Sequence, residues 1–229
     1  MPRTRRVTVP GHPHHIFHQG HNGRIILKRE EDFIKCQNDM RELKLAFNVQ
    51  VIAYCLLPSQ INLIINPGGS PRALSSFMRA LSGTITHHRN REDNSAGTVW
   101  GGRFRSSPVQ PKLWLLRSQK YLELLPVLTG LASSPGAYRW SSYLTRLGQT
   151  EYDWLDESPQ YHALGATLEE RRENYRRYVQ AGMDDFEINR IETAVRRCQL
   201  TGDDRFIDEV ELLTGTRVSK LGPGRPPKK

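Results

Sequence analysis

The 229-residue chain is long enough for one large domain, or for a domain with a helical extension, and its 37% hydrophobic and 25% charged residues are ordinary for a soluble protein. No apolar run approaches the ~18 residues of a membrane span, no apolar stretch follows the opening Met1-Pro2-Arg3-Thr4-Arg5-Arg6 as a secretory leader needs, and Cys36, Cys55 and Cys198 are too scattered for a zinc knuckle, so a reduced, cytoplasmic protein is expected. The net charge of +9 is uneven: residues 1–29 and 217–229 carry +11 without an acid, which leaves −2 for 30–216. A near-neutral body with basic ends suits a polyanion such as DNA, because neutralised phosphates release counterions. Solvated ends kept for solubility are the competing reading.

Pro10-Gly11-His12-Pro13 punctuates the entry, and His14 to Gln19 alternates as a strand should. Phe33, Cys36, Met40, Leu43 and Phe47 are spaced 3, 4, 3, 4 and predict an amphipathic helix. Val49 to Leu57 and Ile61 to Ile65 read as adjacent strands joined tightly at Pro58-Ser59. Ser70-Pro71 starts a second helix with its apolar face at Leu74, Phe77, Met78, Leu81 and Ile85, and His87-His88 are expected just beyond its end. Val99 to Val109 predicts a bent strand or hairpin. Pro111 opens a helix expected to stop at about Leu125, before Pro126. Further helices are expected over Leu168–Gln180, Phe186–Cys198 and Asp203–Leu213, followed by a flexible basic tail. The order strand, helix, strand, strand, helix, strand predicts an α+β fold, an antiparallel sheet with helices on one face.

Few residues could carry chemistry. A tyrosine hydroxyl such as that of Tyr121 can attack phosphorus and store the bond energy in a phosphotyrosine. Trp114, Arg117 and Ser118 lie seven, four and three positions before it, on the same helical face. An ordinary half-buried tyrosine is the plainer reading. Gln60 and Asn62, two apart on a strand, project from one face and could offer amide oxygens to a hard cation, though amides are weak ligands. His12, His14, His15, His18 and His21 lack a supported metal spacing. Arg103 and Arg105 flank Phe104, a pattern able to grip a phosphate backbone and stack on an unpaired base; a solvated strand with a core phenylalanine explains it equally well. Arg225, in Gly224-Arg225-Pro226, is of the kind that lies in a DNA minor groove.

In order along the chain, Tyr54 to Ile65, Trp100-Gly101-Gly102-Arg103-Phe104, Arg117 to Gly130, Tyr138-Arg139-Trp140-Ser141-Ser142-Tyr143 and Gly224-Arg225-Pro226 together resemble the REP-associated tyrosine transposases, a branch of the single-tyrosine HUH transposases. The resemblance implies a ferredoxin-like catalytic domain. It implies a His-hydrophobic-His pair that binds Mg²⁺ or Mn²⁺, a tyrosine that attacks the scissile phosphate, and single-stranded DNA hairpins as substrate. Tyr121 then holds the nucleophile position. Gln60 and Asn62 stand where the two histidines would be, Ser59 replaces an Asn, and Leu125 replaces a polar residue. Weak or absent metal binding and impaired cleavage are therefore expected, with Glu123 pointing elsewhere. Charge, local pattern and the resemblance together make Arg3, Arg5, Arg6, His15, Arg103, Arg105, Arg117 and Arg225 the residues expected at DNA, and packing is the alternative for His15.

The expected organisation is a transposase-like domain over 1–145, a helical accessory region over 146–215 and a basic tail over 216–229. Three functions compete: a DNA strand transferase on hairpins with possible duplex minor-groove contacts, an inactive DNA-binding or regulatory descendant of one, and a helix-turn-helix regulator built on the last two helices. No membrane partner is expected, and the resemblance allows a monomer or a homodimer.

Overall fold

The computed structural model describes residues 7–150 and 154–218. Four antiparallel strands, β1 (His14–Gln19), β2 (Gln50–Leu57), β3 (Gln60–Asn66) and β4 (Arg105–Pro108), form one sheet in the order β2-β3-β1-β4. Helix α1 (Glu30–Ala46) connects β1 to β2, and α2 (Pro71–Glu92) connects β3 to β4. This βαββαβ order with the first and last strands adjacent is the ferredoxin-like arrangement. The β2–β3 hairpin turns at Pro58-Ser59 and pairs Leu57 with Gln60, as the sequence predicts. The expected bent strand over Val99–Val109 is shorter. Only Arg105–Pro108 joins the sheet, and Trp100 makes a single bridge to Gly20. Gly101 and Gly102 between them turn the chain away.

Strand alternation sorts the core into two layers. Ile61, Leu63 and Ile65 face Phe33, Cys36 and Met40 of α1 and Leu74, Phe77 and Leu81 of α2. The opposite face, with Ala53, Cys55 and Ile64, packs against Leu115, Leu122 and Leu125 of α3 (Pro111–Leu128) and Ile191 of α7 (Asp185–Arg197). So α1 and α2 lie on one face as expected, and α3 with the accessory helices adds a further layer on the other.

Two helix ends differ from the sequence expectation. Helix α3 continues through Pro126 to Leu128. A proline in the last turn removes one hydrogen bond, and the helix still closes with Thr129 N–H donating to Leu125 O at 2.9 Å. Helix α2 continues to Glu92, so His87 and His88 lie inside it.

The short helices α4 (Ser142–Arg146) and α5 (Pro159–His162) have no sequence signal of their own. Helix α6 (Leu168–Gln180) begins at a Thr167–Glu170 capping box, and α7 and α8 (Asp204–Thr214) begin at the aspartate caps Asp184 and Asp203. Tyr161 and Tyr175 of α5 and α6 pack on Leu124 of α3 and Tyr143 of α4. Among the described residues no helix is long and apolar enough to cross a membrane.

Candidate functional site

Residues of three layers meet around Tyr121. A cavity of about 280 Å³ is bounded by Phe17 of β1, Gln60 and Asn62 of β3, and Tyr121 and Leu125 of α3. Helix α7 closes it with Asp185, Ile188, Glu192, Val195 and Arg196. The two strand amides project together because they are two residues apart, on the face opposite Ile61 and Leu63. Strand spacing put Gln60 and Asn62 on one face, and the family resemblance implied that Tyr121 and Leu125 would join them. The α7 residues were missed, because nothing in a surface-like helix sequence tells which side chains will cover a distant strand.

The tyrosine is only 5% exposed. Burial raises its pKa well above the usual tyrosine range; Glu192 adds to the rise and Arg196 opposes it. The phenol is thus held protonated. Beside it stands His15, fully buried, its ring edge-on to Tyr121 at 5.8 Å between centroids. Burial lowers the His15 pKa to about 4, partly offset by Asn62, so the imidazole is neutral at pH 7. Neither His15 nitrogen, nor Nδ2 of Asn62, makes a hydrogen bond of normal geometry. The expectation that His15 touches DNA is therefore corrected. Its place on a central strand, between β3 and β4, puts it in the core.

The donor set around Tyr121 does not fit a divalent cation. Gln60 and Asn62 supply neutral amides where a tight site needs imidazole or carboxylate, and Leu125 and Phe17 add apolar walls. Of the two carboxylates on the cavity wall, Glu192 is paired with Arg196 at 2.7 Å. Among the described residues no three of His, Cys, Asp and Glu are grouped to hold a metal. Glu123 lies elsewhere, fully buried, where its Oε1 accepts a hydrogen bond from Ser142 at 3.0 Å. Burial raises its pKa to about 7, against opposing contributions from Arg146, Tyr175 and Ser142.

The cationic residues are scattered. Arg3, Arg5, Arg6 and Arg225 lie outside the described residues. Arg103 is exposed on the turn before β4. Arg105 donates from its guanidinium to the carbonyl of Arg196, tying β4 to the end of α7. Arg117 does not line the Tyr121 cavity. It pairs with Glu187 of α7 at 2.6 Å and stacks over Trp114, because α7 packs on that side of α3. Phe104 is buried in the α1–α2 core, so the core reading of this phenylalanine holds, and stacking on a base is corrected.

The histidines are likewise absorbed. His14 hydrogen-bonds its neighbours, with Nε2 accepting from Val9 N–H at 3.1 Å. His18 stacks on Trp100 with 3.8 Å between centroids. His88 pairs with Asp32 at 2.6 Å rather than offering itself to a phosphate. Asp32 also receives Arg89, a buried pair that joins α2 to the start of α1.

No family profile matches the sequence, and no curated protein matches it. Among solved structures, the chain is similar to a REP-associated tyrosine transposase bound to a REP hairpin, with 16% identity and a TM-score of 0.57 over 69% of this chain and 98% of that one. It also matches a candidate transposase from Deinococcus radiodurans at 16% identity, with a TM-score of 0.36 over 48% of this chain and 87% of that one. The first likeness establishes a shared fold: the ferredoxin-like sheet with its surrounding helices.

Proposed function

We propose that this chain is a DNA-binding member of the REP-associated tyrosine transposases, an HUH-type protein that recognises single-stranded DNA hairpins and in which cleavage is impaired. The observation that carries the reading is the meeting of Tyr121 with Gln60 and Asn62 in one cavity, on the fold shared with the hairpin-bound transposase. The nucleophile position is kept and the metal-binding pair is replaced by amides. The motifs quoted from the sequence support the same family. In this reading residues 1–145 form the transposase-like domain, 146–215 the accessory region and 216–229 a basic tail. Arg3, Arg5, Arg6, Arg103, Arg105 and Arg225 serve DNA, with Arg225 suited to a duplex minor groove. Arg117 can join them only by leaving Glu187. Mg²⁺ or Mn²⁺ is bound weakly if at all. The protein works in the cytoplasm, as a monomer or homodimer.

A variant of the reading is a regulatory protein that keeps the grip on DNA and has no chemistry; the protonated, covered phenol favours it. One assay tests both. The protein is incubated with hairpin DNA and Mn²⁺ and resolved on a denaturing gel. The expected result is binding without a covalent adduct. In the double variant Gln60→His/Asn62→His an adduct should appear, and Tyr121→Phe should abolish it. A Tyr121-dependent adduct in the unaltered protein would overturn impaired cleavage, and absence of hairpin binding would overturn the family reading.

A further inference from the structure

Arg146, at the end of α4, neighbours Glu123 rather than Tyr121 and lines a cavity of about 220 Å³. This cavity shares no lining residue with the one at Tyr121. It lies between the end of α4, the turn that follows, and the start of α6. Its polar lining consists of two guanidinium groups, Arg146 and Arg172, the hydroxyls of Thr145 and Thr150, and one carboxylate, Glu157. Leu155 and Leu168 supply apolar wall.

Both guanidinium groups are held in place by the fold. Arg146 is buried, donates from Nη2 to Ile52 O at 2.7 Å and to Asp156 O at 3.2 Å, and lies 4.7 Å over the ring of Tyr161. Arg172 rests against Gly148, where a Cβ would come within 2.3 Å of the guanidinium carbon. Glycine also suits the φ of +69° in the turn that ends α4. Thr150 Oγ1 donates to Thr145 Oγ1 at 3.0 Å, which keeps the two hydroxyls together at the wall. The Nε of each arginine is buried and makes no hydrogen bond. A buried donor without an acceptor is costly and rare, so two of them on residues lining one cavity point to an acceptor that enters it. The two charges are not equally committed. That of Arg146 is answered by Glu123 and, at 3.9 Å, by Glu157, whose other oxygen lies 3.2 Å from His162. Among the described residues Arg172 makes no hydrogen bond and no ion pair. Donors that reach one space from two helices suit a tetrahedral oxyanion, whereas a planar carboxylate is satisfied by a single bidentate guanidinium.

We propose that this cavity binds a phosphate group, as inorganic phosphate or a small phosphomonoester, between Arg146 and Arg172, and that the bound anion ties α6 to the end of α4. Arg172 supplies the uncommitted charge, and Glu157 opposes the anion and limits its affinity. The site stands apart from the hairpin reading: it uses neither Tyr121 nor the basic ends of the chain.

The test is calorimetric titration of inorganic phosphate, and separately of glycerol phosphate, into the full chain at neutral pH, with ionic strength held constant by chloride. Saturable binding is expected for at least one probe, and the tighter of the two names the source of the phosphate. Arg172→Ala breaks no hydrogen bond or ion pair of the folded chain and should weaken binding about tenfold. Arg172→Lys should recover part of the loss. Glu157→Gln removes the opposing charge and should tighten binding about threefold, a gain that a purely structural role for these residues does not produce. Phosphate should also raise the melting temperature of the full chain more than that of Arg172→Ala. No saturable binding of either probe, or equal affinity in the full chain and Arg172→Ala, would overturn the site. A melting temperature that rises equally in both proteins is the general effect of an excluded salt and would overturn it as well. Loss of phosphate binding in protein saturated with hairpin DNA would make the cavity a contact to the DNA backbone and overturn the small ligand.

Discussion

Glu123 shows at the residue scale what a helical face does to chemistry. It follows Tyr121 by two positions, so a regular helix turns it away from that phenol, toward Ser142, Tyr175 and Arg146. Its folded pKa is raised from 4.5 to about 7 by burial. Between those values the unfolded chain has released the proton and the folded chain retains it, so stability falls as pH rises through that window. The difference amounts to about 2 kcal/mol between pH 5 and 8. Glu123→Gln keeps the shape and an acceptor for Ser142, and it should flatten this part of the profile; urea midpoints at the two pH values measure it. His14 and His15 oppose this trend. Their folded pKa values, lowered to about 4 by burial, make stability fall as pH drops from 6.5 toward 4. The sequence made the Gln60–Asn62–Tyr121 grouping legible, because strand period and family motif agree. It could not show the fate of His15 or Arg117, since each depends on which helix packs over it.

At the scale of elements, strong periodicity located the helices and local chemistry adjusted their ends. Helix α3 outruns Pro126 because burial of Leu122 and Leu125 outweighs one absent hydrogen bond. Helices α4 and α5, of five and four residues, are too short to show a period; the Ser141 and Ser158 caps and their tertiary neighbours hold them. Helix α7 ends on Cys198 in the left-handed conformation, φ 54° and ψ 40°, where glycine is preferred. Cys198→Gly should stabilise the protein by about 0.5–1 kcal/mol, read as a higher melting temperature. A drop instead would mean that the partly buried thiol packs better than the backbone strain costs.

On the scale of the whole molecule, helices α4 to α7 pack onto the body built on the sheet rather than hanging from it. They cover α3, close the Tyr121 cavity, hold α3 through Arg117–Glu187 and reach back to the sheet through Arg105–Arg196. Asp156, beyond α4, accepts from Val51 N–H of β2 at 2.7 Å and pairs with Lys44 of α1. A fragment ending at residue 150 would bare Leu124, Tyr143 and the α3 wall of the second core. It should be recovered as aggregate, or as a species that binds hydrophobic dyes, whereas residues 1–218 should fold cooperatively. Recovery of a soluble fragment with a sharp melting transition would show that the two regions fold apart.

The glycine at position 20 has a consequence for how this protein can change. A Cβ there would strike backbone, which cannot swing aside as a side chain would. Substitution at that position is closed by the backbone it would strike. Gln60, whose side chain is only partly covered, is free to vary by comparison. Side chain and backbone therefore run on separate clocks in this fold: a partly covered side chain can be exchanged alone, while the turn after β1 either persists whole or disappears.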